Sequence, residues 1–162
     1  VRGLVLRSAF RSRLGTAQAR STRMSRTRVL LVETDVLVAM DLATEFETVG
    51  MAIVGITGSM AQVVELIEEK KPDFVLLNVS LEDGVSFPVA RQLLAIGPPF
   101  AFLTSYEKDE LDLEFRDVPY LPKPQDPKDI VSFVANLLEM PIESTQSSIL
   151  PDEGGEAVSV RR

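Results

Sequence analysis

The chain has 162 residues, of which 45% are apolar, 6% aromatic and 25% charged, a length for one domain with tails and a composition able to bury a core. Cys and His are both absent, which excludes disulfides, thiol nucleophiles, Cys/His zinc sites, histidine general bases and any phosphohistidine on this chain. The net charge of −7 is unevenly spread, since residues 1–28 hold eight Arg and no acid while the remainder holds nine Lys+Arg against 24 Asp+Glu. So acidic a domain is unsuited to nucleic acid or an anionic membrane, and no run approaches the ~18 apolar residues that a membrane span needs.

Residues 1–27 read as a basic arm, a composition shared with transit peptides and nucleic-acid-binding segments. Val1 stands where an initiator Met would be expected and Met24 lies just before the first apolar run. An over-extended reading frame is therefore the first expectation for the arm, a flexible basic arm the second and targeting the last.

From residue 28 to 140, short apolar runs alternate with amphipathic patterns, the signature of a parallel α/β sheet. Residues 28–32 (RVLLV) form a buried strand, then Ala39, Leu42, Ala43 and Phe46 recur at helical spacing until Gly50. Residues 52–56 form a second strand. Ser59-Met60-Ala61-Gln62 has capping-box form, and Met60, Val63, Val64 and Ile67 fill one helical face before Lys70, Lys71 and Pro72 end it. Residues 74–79 (FVLLNV) are continuously apolar enough for the centre of a sheet. A loop over 80–86 leads to a helix over 87–96, broken by Gly97-Pro98-Pro99, and residues 100–104 form a fourth strand. Residues 118–121, flanked by Pro119 and Pro122, suit an edge strand. Asp126-Pro127 then opens the cleanest amphipathic helix, with Ile130, Phe133, Val134, Leu137 and Leu138 on one face. Residues 141–162 have no periodicity, and disorder is expected there.

One link departs from its template. Residues 107–117 (EKDELDLEFRD) place Leu111, Leu113 and Phe115 at every second position, so a short or irregular fourth helix, weakly held, is expected.

Sites in open α/β sheets form at the carboxyl ends of the strands, where Glu33, Thr34, Asp35, Asn78, Thr104, Ser105 and Lys123 gather. Together, VLLVETD, KPDFVLLNVSLEDG, FLTS and YLPKP resemble a response-regulator receiver domain of the CheY-like superfamily. The resemblance implies a doubly wound, five-stranded parallel sheet, the (βα)5 flavodoxin-like receiver fold of order 2-1-3-4-5. It also implies an aspartate at the end of strand three that takes a phosphoryl group from a histidine kinase, and an acidic pair after strand one that holds Mg²⁺. A Thr or Ser after strand four would grip the phosphoryl group, and a Lys after strand five would neutralise it.

The sequence departs from this pattern at two decisive places. Asn78 stands at the phosphoacceptor position, where its neutral amide is no phosphoryl nucleophile, and Thr34 stands at the second position of the acidic pair. Glu33 alone remains of three carboxylates, with Asp35 one residue too far and pointing elsewhere. With Lys123 present, the local charge falls from about −2 to about 0, which removes most of the attraction for Mg²⁺. No cofactor and little or no Mg²⁺ binding are expected, Glu33 being the one weak metal candidate, and no phosphorylation at this pocket. Asn78 reads either as a satisfied polar residue at a strand end or as an acceptor for Lys123, and these are compatible. Thr104 reads likewise as a satisfied strand hydroxyl or as the phosphoryl-gripping residue. Tyr120 occupies the place of an aromatic that moves on activation in the family, although packing in the core is its commoner role.

The expected function is that of a stand-alone, cytoplasmic pseudo-receiver in two-component signalling, not an enzyme, which contacts a histidine kinase, a phosphotransfer protein or another receiver. The segment PFAFLTSY also resembles the strand-four segment of single-domain receivers with a PFxFATGY-like signature, departing at Leu103 and Ser105. The face of helix four, strand five and helix five, with Leu113, Phe115 and Tyr120, is the expected interface and a route to a homodimer. Two other readings stay open: phosphorylation on Glu33 or Asp83, and a basic arm that binds nucleic acid or membrane. The pair Gly55 and Gly58 lacks the third glycine of a dinucleotide fingerprint and reads as a turn.

Overall fold

The computed structural model describes residues 26–139. The expectations for the basic arm up to residue 25 and for the tail after 139 lie outside the described residues. In chain order the elements are β1 (Arg28–Val32), α1 (Val36–Thr48), β2 (Ala52–Thr57), α2 (Met60–Lys70), β3 (Phe74–Leu77), β4 (Ser80–Leu81), β5 (Gly84–Val85), α3 (Phe87–Ile96), β6 (Phe100–Thr104), two 3₁₀ turns (Lys108–Glu110 and Leu113–Phe115), β7 (Tyr120–Pro122) and α4 (Pro127–Leu137). Five strands pair in the order β2-β1-β3-β6-β7, every pairing parallel. Counting only these five, the order is the expected 2-1-3-4-5.

The sheet buries both faces, which is why β3 and β6 are buried at every position and apolar at all but Thr104. Val29, Leu31, Phe74 and Leu76 meet α1 and α4 through Leu42, Phe46, Ile130 and Val134. Leu30, Val32, Val75 and Leu77 meet α2 and α3 through Val63, Val89 and Leu93. The strand period of two thus sorts one apolar run into two cores.

Helix ends follow local chemistry. Asp126 accepts from the Lys128 amide at 2.8 Å, with Pro127 in the first turn. Lys71 closes α2 in the left-handed conformation (φ 48°), directly before Pro72. The expected capping box at Ser59 does not form. The Ser59 hydroxyl donates instead to Asp83 at 2.8 Å, and Gln62 accepts from Thr57 at 2.6 Å.

Other differences are local. The loop expected over 80–86 contains a two-residue antiparallel hairpin, Ser80–Leu81 with Gly84–Val85, too short to carry a period. Gly55 lies inside β2 and not in a turn, where the register with β1 shifts between Val29 and Leu30. Strand five starts at Tyr120 and not at residue 118, because the Val118 amide donates to Phe115 O and completes the second 3₁₀ turn.

The expected irregular fourth helix is the pair of 3₁₀ turns. Leu111 and Phe115 point inward and Leu113 outward at 71% exposure. Phe115 packs on Phe87 and Phe102 at ring distances of 5.2 and 5.5 Å. Its assignment to a surface interface is therefore corrected: Phe115 is fully buried and supports that face from beneath.

Candidate functional site

The carboxyl ends of β1, β3, β6 and β7 bring Glu33, Asn78, Thr104 and Lys123 to one edge of the sheet. Each position follows from strand register: the Glu33 amide donates to Thr57 O at 2.9 Å, the Asn78 amide to Val32 O at 2.9 Å, and the Lys123 amide to Thr104 O at 2.8 Å. Glu33, Asn78 and Thr104 are buried at 5%, 6% and 0% exposure. A buried carboxylate requires partners, and Glu33 has four. Lys123 Nζ donates to its Oε2, while Oε1 accepts from the Asp35 amide at 2.9 Å, the Asn78 side-chain amide at 3.3 Å and, at the outer limit, the Thr34 hydroxyl at 3.5 Å.

This network corrects the reading of Asn78 as an acceptor for Lys123 and fits its reading as a satisfied polar residue at a strand end. Its side chain donates to Glu33 and does not accept from Lys123, because the carboxylate attracts the ammonium more strongly than a neutral amide oxygen does. Lys123 and Asn78 converge on opposite oxygens of one residue, and the ion pair ties the β1 end to the β7 end. Asp35 faces away as expected: its Oδ1 caps α1 by accepting from the amides of Leu37 at 2.9 Å and Val38 at 3.2 Å. Thr34 is exposed.

Thr104 Oγ1 accepts from the Tyr106 amide at 3.2 Å, a local turn bond. The Tyr120 hydroxyl donates to Tyr106 O, and its ring lies half-buried against the second core. Burial pushes the Tyr120 phenol up, and the negative charges of Glu107, Glu110 and Asp109 raise it further. Ser105 is exposed.

Asp83, the other acceptor considered, is occupied at a different place. Its carboxylate accepts from Ser59 Oγ at 2.8 Å and from the amides of Met60 at 2.7 Å and Ala61 at 3.3 Å, closing the N-terminus of α2. The Met60 amide bond is the main cause that holds its carboxyl below the usual range. Gly58 lets the neighbouring Glu82 side chain and the Thr34 backbone come close, since a Cβ there would stand 2.7 Å from Glu82 Oε1 and 3.2 Å from Thr34 Cα.

Sequence reasoning missed one surface feature beside this pocket. Val36, Leu37 and Met40, in the first turns of α1, are exposed at 69%, 74% and 59%. The run VLVAM, apolar on every face of the helix start, is the signal that could have found them.

The family model for the response regulator receiver domain matches residues 29–135. The chain belongs to that family. Within it, the chain is 34% identical over 111 residues to the transcriptional regulatory protein PdtaR of Mycobacterium tuberculosis, covering 64% of this chain and 53% of PdtaR. It is 28% identical over 116 residues to the phyllosphere-induced regulator PhyR of Methylorubrum extorquens, covering 69% of this chain and 43% of PhyR. Among solved structures, SdrG of Sphingomonas melonis superposes with a TM-score of 0.61 at 36% identity, over 71% of this chain and 99% of SdrG. The chain spans about half the length of PdtaR and less than half of PhyR. Receiver domains work in two-component signalling, and that role holds for this one. No helix among the described residues is long and apolar enough to cross a membrane.

Proposed function

We propose that this receiver domain signals through protein contact, in a state that takes up no phosphoryl group at Asn78 and little or no Mg²⁺. One observation carries the reading: Lys123 and Asn78 both bond Glu33, so the groups that would otherwise receive a phosphoryl group and its cation satisfy one another. An amide nitrogen held against a carboxylate offers no nucleophile, and a carboxylate already paired with an ammonium offers little to Mg²⁺.

The partner class is a histidine kinase, a phosphotransfer protein or another receiver, which implies a cytoplasmic place. The exposed Val36, Leu37 and Met40, a few residues from Glu33, support a contact surface beside the pocket. The face of the 3₁₀ turns, β7 and α4 offers Leu113 as its large exposed apolar side chain and carries the dimer reading less well.

Amide NMR during titration with Mg²⁺ and beryllofluoride tests the proposal on three chains: the parent, Asn78→Asp, and Asn78→Asp with Thr34→Asp. The parent stays silent, and the double variant responds at Thr104, Lys123 and residues 105–117. A response of the parent, or an intact-mass adduct on Glu33 or Asp83 after incubation with acetyl phosphate and Mg²⁺, overturns it.

A further inference from the structure

At the opposite edge of the sheet, where the strands begin, α2 and α3 leave an apolar groove of about 410 Å³. Val64, Ile67, Pro72 and Leu93 line it, and Ile96, the last residue of α3, stands at its lip. At 91% exposure, Ile96 is the most exposed large apolar side chain among the described residues. One surface thus carries both an apolar hollow and an apolar knob with nothing described to cover it.

The rim of the groove carries both signs of charge. Lys71 closes α2 in the left-handed conformation (φ 48°), and Glu68 stands one turn before it. Lys70 already pairs with Glu69 at 2.6 Å, whereas Glu68 and Lys71 form no ion pair with another described residue. A mixed rim matches neither a basic nor an acidic partner as a whole, but it matches itself. A two-fold axis makes every contact twice, with the two residues exchanging roles, so an antiparallel approach of α2 to its copy sets Glu68 beside Lys71 at both ends.

We propose that two copies of this chain associate through the face of α2 and α3, each Ile96 entering the groove of the other copy beside Ile67 and Leu93, and each Glu68 pairing with the other copy's Lys71. This face lies across the sheet from α1 and at the other ends of the strands from Glu33, so the pair leaves the Glu33 pocket and Val36, Leu37 and Met40 open in both copies. The inference goes beyond the reading of that pocket, and neither depends on the other.

Two helix ends and a groove bury less than the ~1,600 Å² of a standard interface, so the association is weak and is read from ~20 μM to ~1 mM. Sedimentation equilibrium of the full chain over this range shows a reversible dimer, and dilution shifts the amide signals of Ile67, Leu93 and Ile96 selectively. Ile96→Gln, which keeps the charge at a position too exposed to endanger the fold, weakens the dimer at least roughly tenfold. Glu68→Lys and Lys71→Glu each weaken it roughly tenfold, although one makes the net charge of −7 less negative and the other more. The two reversals together restore the parent affinity, and unchanged β1 and β3 amide shifts show that each variant keeps its fold. A monomeric parent overturns the proposal, as does a dimer that survives Ile96→Gln or whose dilution shifts centre on residues 36–40 or 107–117. It falls equally if the double variant is no tighter than the single ones, or if the two reversals act in opposite directions, because net charge and not pairing then governs association.

Discussion

Glu33 is 3% exposed at its side chain and Lys123 is 21% exposed, and this asymmetry decides how each tolerates loss of the other. Lys123→Ala leaves a buried carboxylate with only neutral donors and costs about 3 kcal/mol, the range for breaking a buried pair from one side. Glu33→Gln keeps the shape and the amide contacts, and the lysine turns toward water, so the cost is about 1 kcal/mol. Urea unfolding of both variants checks the order; equal costs would mean that no buried charge is being held. Tyr120 gives the pH dependence. Its phenol is raised by burial first and by the neighbouring acids second, so the folded state holds the proton more tightly than the unfolded chain. The resulting stability is fully present below the unfolded phenol pKa of about 10 and is lost as pH rises through the higher folded value. Tyr120→Phe, which also loses the bond to Tyr106 O at a cost of about 1 kcal/mol, shows a flatter alkaline decline in unfolding free energy. An identical decline would remove Tyr120 as its source. The residue types at this pocket were legible in the sequence, but the pairing was not. Lys123 lies 90 residues from Glu33, and spacing alone cannot say which acceptor a lysine will choose.

The segment between β6 and β7 shows how an element persists without a helix. Arg91 on α3 donates to Glu114 and to Asp112, each at 2.7 Å, and its guanidinium lies 5.8 Å from the Phe115 ring centroid. The exposed ion pairs contribute up to about 1 kcal/mol each and the cation–π contact about 0.5–1 kcal/mol. Phe115, by contrast, fills the core against Phe87 and Phe102. Arg91→Ala is therefore expected to cost about 1 kcal/mol and to speed amide exchange over 108–118 while β1 and β3 exchange as before. Phe115→Ala is expected to cost about 3–5 kcal/mol and to unsettle the whole domain. Similar exchange profiles for the two would show that the segment is not held in two tiers. The sequence already contained half of this result. Alternation at Leu111, Leu113 and Phe115 ruled out an amphipathic helix, yet it also suggested one shared side, whereas two 3₁₀ turns send Leu111 and Phe115 in and Leu113 out. The hairpin Ser80–Leu81 with Gly84–Val85 and the closure of α2 by Asp83 were invisible for a plainer reason: a two-residue strand has no period, and a cap supplied from 24 residues away has no local motif.

For the molecule as a whole, the five parallel strands were legible because burial on both faces makes strand runs continuously apolar, and because the intervening stretches are long enough for parallel crossovers, helical in all but the last. Charge is the property that acts at this scale. A net charge of −7 opposes compaction, and raising ionic strength from 0.01 to 0.15 M shortens the Debye length from ~30 to ~8 Å. Relief of this self-repulsion outweighs the weakening of the exposed Arg91 pairs, so the thermal midpoint is expected to rise with NaCl. The divalent ion then separates screening from binding. A Mg²⁺ site at 100 times its Kd would add about 2.7 kcal/mol, worth several degrees in a domain of this size. In the parent chain, MgCl₂ and NaCl at equal ionic strength are expected to give the same midpoint, because Glu33 is already paired with Lys123. In the Asn78→Asp, Thr34→Asp chain, MgCl₂ is expected to give the higher one. An excess shift in the parent would show that the Glu33 to Lys123 pair opens for the cation, and the contact-only reading of the pocket would fall with it.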